Sequence, residues 1–161
     1  MPKNTNKKAN PKPTSIPPVL TGVAGEYFVA AELSRRGYIA SISLRNTRGI
    51  DVLATNQAAT RSITIQCKTN QSGARSWMLS EKSEDFFAPD HYYVFVALGS
   101  ATDRPRFHVV PSEIVANYIA QSHQQWLRAP GRDGRQHVDS AMRNFKDPDD
   151  TYLDRWDLLG L

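Results

Sequence analysis

Cysteine is nearly missing from this chain, with Cys67 alone among 161 residues. That excludes an intramolecular disulfide and a cysteine-built zinc site, and it makes a reduced, cytoplasmic setting the expectation. No apolar run approaches the ~18–20 residues that span a bilayer, so no membrane partner is expected. The polar, proline-rich start lacks the apolar core of a secretion signal. His91, His108, His123 and His137 share neither the spacing nor the element that a metal cluster needs. Gly131-Arg132-Asp133-Gly134-Arg135 follows no strand, so it is neither a phosphate loop nor a dinucleotide fingerprint, and no organic cofactor is expected. There is no internal repeat.

Acid is absent from residues 1–20, which carry Lys3, Lys7, Lys8 and Lys12. Residues 21–80 hold seven basic and three acidic side chains, a balance of +4, whereas residues 145–161 hold two basic and five acidic, a balance of −3. The first half of the chain is thus the basic half, and phosphate neutralisation by such a surface supplies most non-specific nucleic-acid affinity. Many domains with a net charge of +4 bind no polyanion, so charge alone decides nothing. Residues 1–19 lack hydrophobic periodicity and read as a disordered, basic, proline-rich arm. Residues 20–161 suffice for one domain with its own core.

Thr21 reads as an N-cap, opening a helix that runs to Arg36 and stops at Gly37. Strands follow at Tyr38–Leu44, Gly49–Thr55 and Ser62–Lys68, joined by connections short enough for antiparallel hairpins. Trp77–Leu79 suggests a short edge strand and Glu81–Phe87 a helical turn. Tyr92–Leu98 is an unbroken apolar run, the mark of a strand buried on both faces. Arg106–Val110 is the next strand, and Pro111-Ser112 opens a helix with Val115, Tyr118, Ile119, Ser122 and Trp126 on one stripe. Trp126 and Trp156 read as core or interface. The order is αβββ, a connection, ββ and α: an α/β (α+β) fold with a central mixed sheet flanked by helices.

Asp51 stands fifteen residues before Gln66-Cys67-Lys68. Alternation along a strand puts Gln66 and Lys68 on one face and Ile63, Ile65 and Cys67 on the other. A carboxylate, an amide oxygen and an ammonium at adjacent strand ends can hold a hard cation and polarise water beside it, which suits phosphodiester hydrolysis. Glu26 shares its helix face with Val29, Ala30 and Leu33, the face that must cover the sheet, where a carboxylate needs a cation or donors. Glu32 instead reads as a solvent ion pair with Arg35 and Arg36. Plainer readings stand beside these: a turn-capping Asp51, a flanking Glu26, a Lys68 reaching into water. Cys67 reads as core.

Asp51, Gln66-Cys67-Lys68, the preceding helix from Gly25-Glu26-Tyr27 to Gly37-Tyr38 and the phrase Thr47-Arg48-Gly49-Ile50-Asp51-Val52 resemble the PD-(D/E)xK nuclease superfamily. The likeness is to its restriction-endonuclease-like and Holliday-junction-resolvase-like branches, and it covers about residues 20–128. It implies an αβββ(α)ββα core. It also implies that Asp51 binds Mg²⁺ (or Mn²⁺), that the Cys67 backbone carbonyl is a further ligand, that Lys68 orients the attacking water and that Glu26 is an auxiliary carboxylate. Gln66 departs from the usual acid; its amide oxygen can coordinate but brings no charge. Arg45, Arg48, Arg61 and Arg75 lie in nearby turns and are candidates for DNA-backbone contacts, each also readable as an ordinary solvated arginine.

The expectation is a metal-dependent DNA endonuclease of the restriction, repair or junction-resolving kind. It is expected to act as a homodimer, since one small domain supplies one cutting centre. The alternative is a non-catalytic nucleic-acid- or protein-binding module that keeps the nuclease fold.

Overall fold

A computed structural model describes residues 16–44 and 48–161. Helix α1 spans Pro18–Arg35, followed by β1 (Ile39–Ile42), β2 (Val52–Thr55), β3 (Ser62–Asn70) and β4 (Ser76–Ser80). After a 3₁₀ turn at Glu81–Ser83 come β5 (His91–Ala97), β6 (Arg106–Pro111), α2 (Ser112–Arg128), β7 (Met142–Lys146) and a last 3₁₀ turn at Trp156–Leu159. Of the expected arm at 1–19, residues 1–15 lie outside the described residues, and Pro18 and Val19 already belong to α1.

The helix begins before Thr21 because Pro18 has its φ set for a first turn and lacks an N–H that would go unbonded there. Thr21 therefore sits inside the first turn, its hydroxyl donating to the Pro17 carbonyl at 3.3 Å rather than capping the end. The stop falls as expected. Gly37 takes φ +85°, and the N–H groups of Gly37 and Tyr38 donate back to Ser34 and Leu33 at 3.0 and 3.1 Å, the paired bonds that end a helix in a left-handed residue.

The main sheet runs β1-β2-β3-β5-β6. The β1–β2 and β2–β3 pairs are antiparallel, as the short connections require, and β3 and β5 run parallel. This is the mixed, helix-flanked α+β core read from the sequence, with a single 3₁₀ turn where a helix was optional.

Two apolar layers hold it. On one face Val29 and Leu33 of α1 meet Val52, Ile63, Ile65, Val94 and Val109, closed by Trp156 and Leu159. On the other, Tyr93, Phe95 and Val110 meet Trp77, Leu79 and Phe145, with Val115 and Ile119 of α2. Strand β5 is buried along its whole length, between both layers.

Two expectations are corrected, and the reading of Trp126 as core or interface loses its core half. The Trp77–Leu79 strand is not an edge of the main sheet; β4 pairs with β7 in a separate two-stranded sheet. Glu32 is not a solvent pair. Its side chain is only 8% exposed and is held by Arg35 at 2.9 Å, Arg36 at 2.5 Å and, across 72 positions of sequence, Arg104 at 3.2 Å. Trp126 is 41% exposed and stacks on His137 with 4.0 Å between ring centroids. No helix among the described residues is long and apolar enough to cross a membrane.

Candidate functional site

The β2–β3 hairpin was expected to carry Asp51 inside a strand. Instead β2 starts at Val52, and Asp51 stands at a β-bulge. Val52 is the register partner of Ile65, and the Asp51 N–H also donates to the Ile65 carbonyl at 2.8 Å. Two residues thus oppose one, which bends the strand and re-aims the first side chain.

The consequence is chemical. In β3, the N–H and C=O of Ile65 face β2, so those of Cys67, two residues on, face the same way past the end of the ladder. The Cys67 N–H meets Asp51 Oδ2 at 2.7 Å, a carboxylate oxygen in the place of the next ladder carbonyl. The Cys67 carbonyl opens toward the same side by the same alternation.

The electrostatics are unbalanced. Burial raises the Asp51 carboxyl above its ordinary pKa, and the Cys67 N–H and the Lys68 ammonium offset this only in part. Burial also pushes the Cys67 thiol well up, aided by the charges of Asp51 and Glu26 and opposed by Lys68. Cys67 packs against the α1-side core, in accord with a core reading.

Glu26, half-buried on α1, thus lies in one electrostatic neighbourhood with Asp51, Cys67 and Lys68. Its approach depends on the adjacent Gly25, since a Cβ there would stand 1.9 Å from Thr69 Oγ1. Gln66 pairs in register with Tyr93, and Lys68 with Phe95, on the face opposite Cys67.

Two contributors escaped the sequence reading. The Gly25–Thr69 contact sets the separation of α1 from β3. Tyr93 is fully buried with its phenol near Ser83 and in the field of Asp51; burial is the main force raising its pKa. A tyrosine in an apolar run looks like packing, and nothing in the sequence marks its hydroxyl.

Among the described residues, the candidate arginines do not gather. Arg45 lies outside the described residues. Arg48 is exposed beside Gly49, on the approach to Asp51. Arg75 lies in the β3–β4 connection, bound to Asp150 at 3.0 Å and to the Pro148 carbonyl. Arg61 is at the wrong end of β3. Seven residues from Lys68, about 23 Å along a strand, it pairs with Asp90 at 3.0 Å and packs near Gly160.

Among the described residues, no three His, Cys, Asp or Glu side chains group to hold an ion. The donors at the bulge are oxygens of other kinds: the under-compensated Asp51 carboxylate and the Cys67 backbone carbonyl, turned to the same side by strand alternation. That set fits a hard cation held partly by water.

No protein-family model matches the chain, and no curated protein sequence matches it. Among solved structures, it is similar to Hjc, a Holliday junction resolvase from the archaeal hyperthermophile Archaeoglobus fulgidus. The identity is 12%, the match covers 78% of this chain and 84% of that one, and the TM-score is 0.44.

Proposed function

We propose that this protein is a metal-dependent DNA endonuclease of the PD-(D/E)xK kind, with its cutting centre at the Asp51 bulge. The observation that carries the reading is the 2.7 Å contact between the Cys67 N–H and Asp51 Oδ2. It brings the acid to the backbone of the residue that precedes Lys68, although fifteen positions separate Asp51 from Gln66. A carboxylate whose charge is not fully offset, beside a lysine at the end of a ladder, matches the chemistry of the sequence motif.

In this reading Asp51, the Cys67 carbonyl and the Gln66 amide oxygen hold Mg²⁺ or Mn²⁺, with Glu26 as an outer carboxylate. The ion, when bound, lowers the pKa of a water and draws charge from the phosphoryl oxygens. Lys68 stabilises charge developing at the scissile phosphate and orients the attacking water. In this reading Arg48, exposed beside Gly49, contacts the DNA backbone. The active form is a homodimer, because cutting both strands of a duplex or branch requires two such centres.

The test is an assay on linear, nicked and branched DNA with each divalent ion. Cleavage is expected with Mg²⁺ or Mn²⁺ and is lost in Asp51→Asn and Lys68→Met proteins. Asparagine keeps an oxygen for the Cys67 N–H, so lost activity there is not lost fold. Cleavage that persists in verified Asp51→Asn protein refutes the assignment.

One observation favours a second reading, a binding module without catalysis. Gln66 brings no charge, and the described residues gather no three-acid cluster. DNA binding with no calorimetric response to Mg²⁺ or Mn²⁺ selects that reading.

A further inference from the structure

Beside Asp51 the surface opens into a pocket of about 200 Å³ lined by Ile50, Thr64, Phe86, Phe87, Ala88 and His91. Its volume is below the roughly 300–1,000 Å³ of pockets that take whole small molecules, so it suits a single ring. The walls are apolar except at one point. Thr64 and His91 are register partners on β3 and β5, and His91 Nδ1 lies 2.8 Å from Thr64 Oγ1. His91 Nε2 is buried and has no hydrogen-bond partner among the described residues, on a side chain only 4% exposed. A buried polar atom left unpaired costs stability and calls for an explanation. Burial pushes the His91 pKa down, which favours the neutral ring.

The pocket is pre-built. Ser112 Oγ both accepts from the Ala88 N–H and donates to the Ala88 carbonyl, at 3.1 Å each, and the His91 N–H donates to that same carbonyl at 3.1 Å. Phe86 meets the His91 ring edge-on at 5.0 Å and 79°. Phe87, 51% exposed, stands at the rim. The pocket is also tied to the proposed cutting centre. Gly49 takes φ +68°, and a Cβ on it would lie 2.5 Å from Phe86 Cε1, so the turn that delivers Ile50 and Asp51 is seated on the pocket wall. Ile50 lines the pocket, and its Cα is about 3.8 Å from that of Asp51.

We infer that this pocket receives one unstacked nucleobase from the strand whose phosphate lies at Asp51, with Phe86 and Phe87 against the base and His91 Nε2 hydrogen-bonded to its edge. A nucleobase has what the lining asks for: flat faces that stack on aromatic rings and a hydrogen-bonding rim. An alkyl chain leaves Nε2 unpaired, and a phosphate finds no cation among the lining residues. The inference rests on the nuclease reading for the strand, but the pocket can be tested apart from it.

The full chain, isotope-labelled, is titrated with thymidine, adenosine and phenol while the amide resonances of Ile50, Thr64, Ala88 and His91 are followed. Nucleosides are expected to shift these resonances in the wild type and in Phe87→Trp, and to leave them unmoved in Phe87→Ala. A second arm measures binding of DNA duplexes with one extrahelical base against the same duplexes with an abasic site there, and of RNA counterparts. The wild type should prefer the base-containing DNA about tenfold, within the range that base–aromatic stacking spans, and Phe87→Ala should lose that preference. An equal preference on RNA makes the base alone, not the sugar, the determinant and leaves the inference standing. Silence toward nucleosides, a response to phenol alone, or equal binding of base-containing and abasic DNA overturns it. Absent cleavage in a protein that titrates with nucleosides overturns the nuclease reading and not the pocket.

Discussion

Replacing Gly25 by alanine tests the contact that sets α1 against the sheet. Alanine in a helix interior ordinarily gains about 0.8–1.0 kcal/mol over glycine. Here the new Cβ would fall 1.9 Å from Thr69 Oγ1, 3.0 Å from its Cβ and 3.1 Å from its Cγ2. Thr69 branches at Cβ, so rotating the hydroxyl away carries another substituent toward the helix. The helix must shift, and overpacking of this kind costs about 1–3 kcal/mol. With the contact at the short extreme, we expect a net loss of about 1–2 kcal/mol in urea denaturation. The melting point should fall by about 2–4 °C per kcal/mol. Thr69→Ala removes the hydroxyl and the methyl, so the double variant should recover about 1 kcal/mol relative to the sum of the single changes. Glu26, next to Gly25, should move with the helix, so proposed cleavage should fall along with stability in Gly25→Ala. A stabilised Gly25→Ala protein, or a strictly additive double variant, refutes the reasoning.

Asp51→Asn should unfold at an equal or higher urea concentration than the wild type at neutral pH. Burial raises the folded-state carboxyl above its ordinary 3.8, so its contribution to folding is present below that value and is lost as pH rises through the folded pKa. Above it the buried charge is a cost that asparagine removes. Mn²⁺ at a hundredfold excess over its Kd should raise wild-type stability by about 2.7 kcal/mol and leave Asp51→Asn unmoved, read by thermal melts. Asp147→Ala should lose about 1–3 kcal/mol, because it leaves fully buried His108, whose Nδ1 is 2.6 Å from Asp147 Oδ2, without that partner. Burial pushes the Asp147 carboxyl up, but bonds from His108 and the Tyr152 and Thr151 N–H groups outweigh it and leave the pKa lowered. Its stabilisation is therefore full above an unfolded value near 3.8 and lost as pH falls through the lower folded one, so acid unfolding should separate wild type from variant least at the lowest pH.

Local chemistry was enough to read α1, β1–β3, β5, β6 and α2, since each is written in short-range terms. Gly37 supplies the left-handed stop, Tyr92–Leu98 supplies a run that no single-faced strand could use, and two tight connections leave the hairpins little choice. Strand β7 escaped because its inward positions are Arg143 and Phe145. Alternation with an arginine inside does not look like a strand until Glu84, 59 residues away, is seen to hold that arginine. Glu32 misled for the same reason, because its neighbours Arg35 and Arg36 were visible in sequence and Arg104 was not.

What the amino-acid order determined by itself was which side chains share a face, because alternation and helical spacing are properties of the backbone. It therefore named Asp51, Glu26, Gln66 and Lys68 as residues to watch. Only the tertiary structure decided what surrounds Asp51 and Glu26. The bulge opposite Ile65 aims Asp51 at the Cys67 N–H, and Gly25 lets α1 sit close to Thr69. Each outcome depends on atoms brought together from distant positions, and contact between distant segments is what a local pattern cannot encode.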